Sequence, residues 1–232
     1  MEYTLFFLAV LPGLLLIRYV YKLDSVEKEP LGLLIKLVIY GAIATIPAII
    51  IGLSANEVML EIFDEDDILY LIIDNFIVTA LVEEFVKYKA LRAASWRHNA
   101  FDYMFDGIVY AVCASMGFAI LENIAYIMED GSYELVLMRA VLSVPGHCIF
   151  GIFMGYFYGR AKASANKGNF TIFSRMMAVI VPAIFHGWYD FLLSFEADEI
   201  MIIFGGFVIF MDVIAYTLLK RIARKDRKIT VA

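Results

Sequence analysis

Long apolar runs separated by short polar breaks dominate the chain. Seven of them, at 3–21, 31–53, 68–92, 104–128, 134–158, 174–195 and 200–220, are long enough to cross a hydrocarbon core of about 30 Å. Backbone polar groups in lipid must find partners inside their own segment, so each run is expected to be a helix. The fold class expected is therefore all-α, a polytopic membrane protein of about seven transmembrane helices. One domain spanning 1–232 is expected, because the breaks are too short to hold a separate soluble domain. The first run has Glu2 where a signal peptide carries a basic n-region, and it is read as a retained span.

Lysine and arginine alternate with acidic breaks in the way that seven crossings require. Segment 54–66 holds Glu57, Glu61, Asp64, Glu65 and Asp66 without a basic residue, and 129–133 and 196–199 are likewise acidic. The other breaks carry Lys22 and Lys28, then Arg92 and Arg97, then Arg160, Lys162, Lys167 and Arg175. This pattern places the N-terminus outside and the C-terminus in the cytoplasm of a multi-pass cell-membrane protein. The basic tail, 220–232, suits anionic lipid headgroups, or serves as a plain stop-transfer signal. Segment 54–66 is expected either as a solvated loop or as a short interfacial helix with Val58, Met59, Ile62 and Phe63 facing the bilayer.

Composition agrees with this picture. The chain is 62% hydrophobic, against about 45–50% apolar in a soluble domain. Cys113 and Cys148 both fall in apolar runs and read as buried thiols, not as a disulfide framework. Nucleic acid is not an expected partner.

Against this background the ionisable residues inside the runs stand out, since each costs at least a few kcal/mol in lipid. Glu83 and Glu84 are followed one turn later by Lys87, which can reach back to either of them. Adjacent residues point about 100° apart on a helix, so one glutamate is expected to pair with Lys87 and the other to work on water. Which does which is left open. Glu122 and Asn123 lie on the fourth run and His147 on the fifth, with Arg139 in reach of Glu122 or Glu134. His186 and Asp190 lie four apart on the sixth, where the carboxylate would orient the imidazole. By residue count Glu83, Glu84, His147 and His186 fall within about 10 Å of the midplane, and Glu122 lies further out. Gly151, Gly155 and Gly159 share a stripe with His147 and would let a neighbouring helix approach closely. Pro145 is expected to kink that helix. Asp74 and Asn75 would line an outer water path, and Asp212 has no evident partner.

Several known hydrolytic arrangements are absent: there is no HExxH, no GxSG and no GxGD. What remains is glutamate and histidine activating water, or the same residues holding a metal that does so. His147, His186 and Glu122 would suit a zinc ion with an open fourth position. A proton- or ion-coupled transporter using the same charges as a relay is the alternative from another class.

Four short patterns now become recognisable. Glu83-Glu84-Phe85-Val86-Lys87 resembles the EExxK motif of the PrsW-type intramembrane proteases. Gly117 to Asn123, His147 with Gly151, and His186 to Phe191 are similar to that family's later motifs, in the same order. Glu29-Pro30 and the Asp106–Tyr110 segment share the likeness, which runs from about residue 28 to 195. Related proteases that trim prenylated CAAX proteins carry FxxxH where this chain has Phe118 and Glu122, which sets it nearer the PrsW-type branch. The resemblance implies a membrane-embedded protease whose catalytic helices occupy about 68–195. Glu83, Glu84, Glu122, His147 and His186 would be catalytic, supported by Lys87, Asn123, Arg139 and Asp190. It further implies a single-pass membrane substrate such as an anti-sigma factor, cut at site 1.

Overall fold

The computed structural model describes residues 2–129, 132–195 and 197–229. Its helices are α1 (Glu2–Leu23), α2 (Leu31–Leu60), α3 (Ile68–Ile73), α4 (Val82–Ser95), α5 (Asp106–Glu129), α6 (Tyr133–Met138), α7 (Val144–Asn166), α8 (Ile172–Leu193) and α9 (Asp198–Arg224). A π-helical segment, Asp74–Leu81, joins α3 to α4, and a second, Arg139–Ser143, joins α6 to α7. The expected all-α class is what the described residues show.

Among the described residues, six helical stretches are long and apolar enough to cross a membrane: Thr4–Leu23, Leu31–Leu60, Asp106–Glu129, Tyr133–Asn166, Ile172–Leu193 and Asp198–Arg224. The remaining expected run is helical from Ile68 to Ser95, but its five charges between Glu83 and Arg92 keep it out of that set.

Two expectations need revision. Residues 54–60 continue α2, so there is no separate interfacial helix before Leu60. Met59 is buried in a cluster with Tyr70 and Val78 and does not face the bilayer, whereas Val58 and Ile62 are exposed. The basic tail folds back onto the segment before α5. Met104 N–H donates to Arg227 O (3.1 Å), and Tyr103 pairs with Lys228 in an antiparallel bridge. Asp130, Gly131, Glu196 and 230–232, which belong to the acidic breaks and the tail, lie outside the described residues.

α5 is the axis of the bundle, buried at every position from Asp106 to Ala119. Small residues explain how its neighbours come so close. A Cβ on Gly41 of α2 would lie 1.9 Å from Ala114 O, and one on Gly117 of α5 would lie 2.0 Å from Val38 O. The glycine stripe of α7 does the same on the other side, since a Cβ on Gly155 would lie 2.4 Å from Ile108 Cα. Because that clash is with backbone, Gly155→Ala is expected to force the helices apart and cost about 1–3 kcal/mol. Unfolding in bicelles would read it as a lowered midpoint. The stripe does draw His147 inward: its carbonyl accepts from Ser115 Oγ at 2.7 Å.

Candidate active site

Two of the four helices that carry site residues follow a π-helical segment. Such a turn adds a residue and rotates everything after it, and it recurs at functional sites. Here one precedes Glu83 and Glu84 directly, and the other precedes His147 by one turn. Pro145 sits in the first turn of α7, next to the altered helical register.

Lys87 is the hub. Its side chain is fully buried, with Nζ 2.8 Å from Glu84 Oε1 and 3.1 Å from Glu83 Oε2. Nζ also lies 3.0 Å from His147 Nδ1 and 4.1 Å from the centre of the Phe118 ring. The expected division, one glutamate on Lys87 and the other free, is therefore corrected: the lysine holds both. Burial separates them instead. The Glu84 side chain is 0% exposed, while Glu83 is 12% exposed and lines a cavity.

An ammonium can only donate, so His147 Nδ1 accepts from Lys87 and its Nε2–H donates to Glu122 Oε2 at 2.9 Å. That contact fixes the tautomer. It also brings Glu122 into the site, although residue count had set it further out. Arg139 Nη2 donates to the same Glu122 oxygen (2.7 Å) and Arg139 Nε to Asn123 Oδ1 (2.8 Å), which settles Arg139's partner as Glu122. Asn123 is buried and holds Arg139; it is not among the residues lining the cavity. His186 lies between two carboxylates, Nδ1 to Glu84 Oε1 and Nε2 to Asp190 Oδ2, both at 3.1 Å. Asp190 thus takes the orienting position expected of it.

The four expected helices converge. A cavity of about 360 Å³ is lined by Glu83, Glu122, Arg139, His147, His186 and Asp190. Asp74 and Asn75 lie along it as an outer path would require, at the end of the bundle that bears the acidic connections. Asp212 is exposed on α9, and nothing in the structure explains it.

Aromatic residues shape this site, two of which, Phe150 and Tyr126, the motif reading passed over. Phe150 stacks on His186 at 4.6 Å, Phe118 underlies Lys87, and the Arg139 guanidinium lies 3.8 Å from the centre of the Tyr126 ring. Helical spacing was the available signal: Phe150 is three after His147, Phe118 four before Glu122 and Tyr126 four after it.

The donor atoms of Glu83, His147 and His186 lie within 4.8 Å of one another. Glu122 is outside that group, so the expected zinc set of His147, His186 and Glu122 is not the one the structure gathers. The donor types would suit a zinc ion, but their lone pairs are engaged. Lys87 Nζ contacts both His147 Nδ1 and Glu83 Oε2, and the other His147 nitrogen faces Glu122. An ion held by these three would lie against an ammonium, which is a poor fit.

Glutamates and histidines meeting at a cavity inside a bundle of membrane-length helices are the groups an intramembrane hydrolase would use to activate water. Comparison makes the class specific. Residues 29–218 match the family model described as "PrsW family intramembrane metalloprotease". A protein of Oceanobacillus iheyensis named "Protease PrsW" is 36% identical over 214 residues, covering 91% of this chain and 93% of its own length. A Clostridioides difficile protein of the same name is 32% identical, covering 99% of this chain and 95% of its own. The chain belongs to the PrsW family of intramembrane proteases. These relatives do not favour the transporter alternative. No solved structure matches the chain.

Proposed function

We propose that the protein hydrolyses a peptide bond in a single-pass membrane protein, with Glu83 as general base and without a resident metal ion. The observation that carries this reading is the unequal burial of the two glutamates: both are held by Lys87, but Glu83 is the one that lines the cavity. Glu83 takes a proton from water as the water attacks the scissile carbonyl, then returns it to the leaving amine. Arg139 lines the same cavity and is braced by Glu122 and Asn123, so its guanidinium supplies preorganised donors to the developing oxyanion. Lys87 holds Glu83 and His147 in place, and Glu84 with Asp190 fixes His186.

A lateral groove supports a membrane-embedded substrate. It has a volume of about 590 Å³, shares Glu83, Glu122 and Tyr126 with the cavity, and continues past Ala48, Ile49 and Gly52 of α2. An extended segment entering sideways from lipid would meet apolar walls first and the carboxylates last. The family resemblance makes a membrane-anchored anti-sigma factor the substrate to try first. The charge pattern supports a cell-membrane location with the cavity end outward and the C-terminus cytoplasmic.

The test is cleavage of single-pass candidate substrates in proteoliposomes. Treatment with 1,10-phenanthroline in excess Mg2+ is expected to leave the rate within about twofold, since the mechanism relies on acid–base catalysis. Loss of activity restored by zinc would overturn the metal-free mechanism. Proton-coupled flux without cleavage would overturn the protease reading itself.

A further inference from the structure

A second buried cluster of carboxylates lies far from the cavity. Asp24 and Glu29 sit on the connection between α1 and α2, and Asp106 opens α5. All three are buried, at 2%, 4% and 1% exposure, and their oxygens lie within 4.8 Å of one another. Glu122 is sixteen residues further along α5, about 24 Å of helical rise. The cluster therefore belongs to a different place in the molecule from the protease site.

Part of each carboxylate is accounted for. Asp106 Oδ2 accepts from the backbone N–H groups of Asp102 (3.0 Å) and Tyr103 (2.7 Å), and the Tyr110 hydroxyl donates to Glu29 Oε2. Asp24 Oδ2 is buried and finds no hydrogen-bond partner among the described residues. Asp226, on the returning tail, accepts from Phe105 N–H (3.0 Å) through Oδ1, and its buried Oδ2 has no partner among the described residues either. The neighbouring cation does not compensate this charge in full. Lys28 Nζ turns to the main-chain carbonyls of Tyr21, at 2.7 Å, and Asp24.

Buried carboxylates that outnumber their cations are costly unless something positive joins them. Oxygen donors alone, in a buried cluster with an unpartnered carboxylate oxygen, match the ligand preference of hard divalent ions. We propose that Asp24, Glu29 and Asp106 bind a hard divalent cation of the Mg2+ or Ca2+ class. The ion pins the α1–α2 connection to the start of α5, the helix that carries Glu122 to the active site. Asp226 stands beside it on the tail and adds to the negative field.

The test uses the full chain in nanodiscs, stripped with EDTA and titrated with Mg2+ or Ca2+. Metal analysis should find about one equivalent bound, and the melting temperature should rise by about 5 °C or more at a hundredfold excess over Kd. The same response is expected in His147→Ala, which removes a donor of the protease site. It should disappear in Asp24→Asn and in Glu29→Gln, two near-isosteric changes, so that misfolding of one leaves the other to decide. No uptake by the stripped wild-type chain would overturn the proposal, as would uptake that both variants retain. Loss of the response in His147→Ala with retention in Asp24→Asn would place the ion at the protease site and overturn it too.

Discussion

Glu83→Gln is expected to lower the turnover of substrate about a thousandfold while the protein remains folded, because it removes the proposed general base. Glutamine keeps the size of the side chain and its contact with Lys87 Nζ, now 3.1 Å from Glu83 Oε2, but cannot take a proton from water. Glu84→Gln separates the two roles. Glu84 is fully buried, accepts from Lys87 at 2.8 Å, and holds His186 at 3.1 Å, so its loss is expected mainly to lower the melting temperature. Cleavage rates in proteoliposomes, with melting temperatures of the same preparations, check both. If Glu83→Gln retained full rate, Glu83 would not be the base. If Glu84→Gln alone abolished cleavage without loss of stability, the assignment within the pair would be reversed.

The contrast between these glutamates shows where the sequence stops being readable. Hydropathy was enough to find the helices, because a membrane span must be apolar and hydrogen-bonded within itself. Motif order was enough to bring Glu83, Glu122, His147 and His186 to one place. Neither could show which glutamate faces the cavity, since that depends on a local helical register. The π-helical segment Asp74–Leu81 has no sequence signature, yet it rotates the pair that follows it. Glu122 is a second example. Counting residues gives the depth of a Cα atom, but the carboxylate sits at the end of a flexible side chain that Arg139 and His147 capture. Met59 is a third: its apolar neighbours suggested lipid, and the structure buries it against Tyr70 and Val78 instead. An apolar side chain is equally at home in either setting, so periodicity alone does not choose between them.

Lys87→Met is expected to destabilise the fold by about 3–5 kcal/mol, the usual cost of removing one partner of a buried ion pair. Against a total stability of about 5–15 kcal/mol, that is a large fraction. The ammonium serves three groups at once, Glu83, Glu84 and His147, and its side chain is fully buried. Methionine fills much of the same space over Phe118 but leaves two carboxylates in a low-dielectric site without a cation between them. Unfolding followed in bicelles should show the loss directly. Electrostatics and packing make different predictions for a second change. If the loss is electrostatic, adding Glu84→Gln to Lys87→Met removes one orphaned charge and should recover part of the stability. If the loss came from packing around the lysine stem, the two changes would add. Additivity would therefore contradict the role assigned to Lys87 as the counter-charge of the glutamate pair.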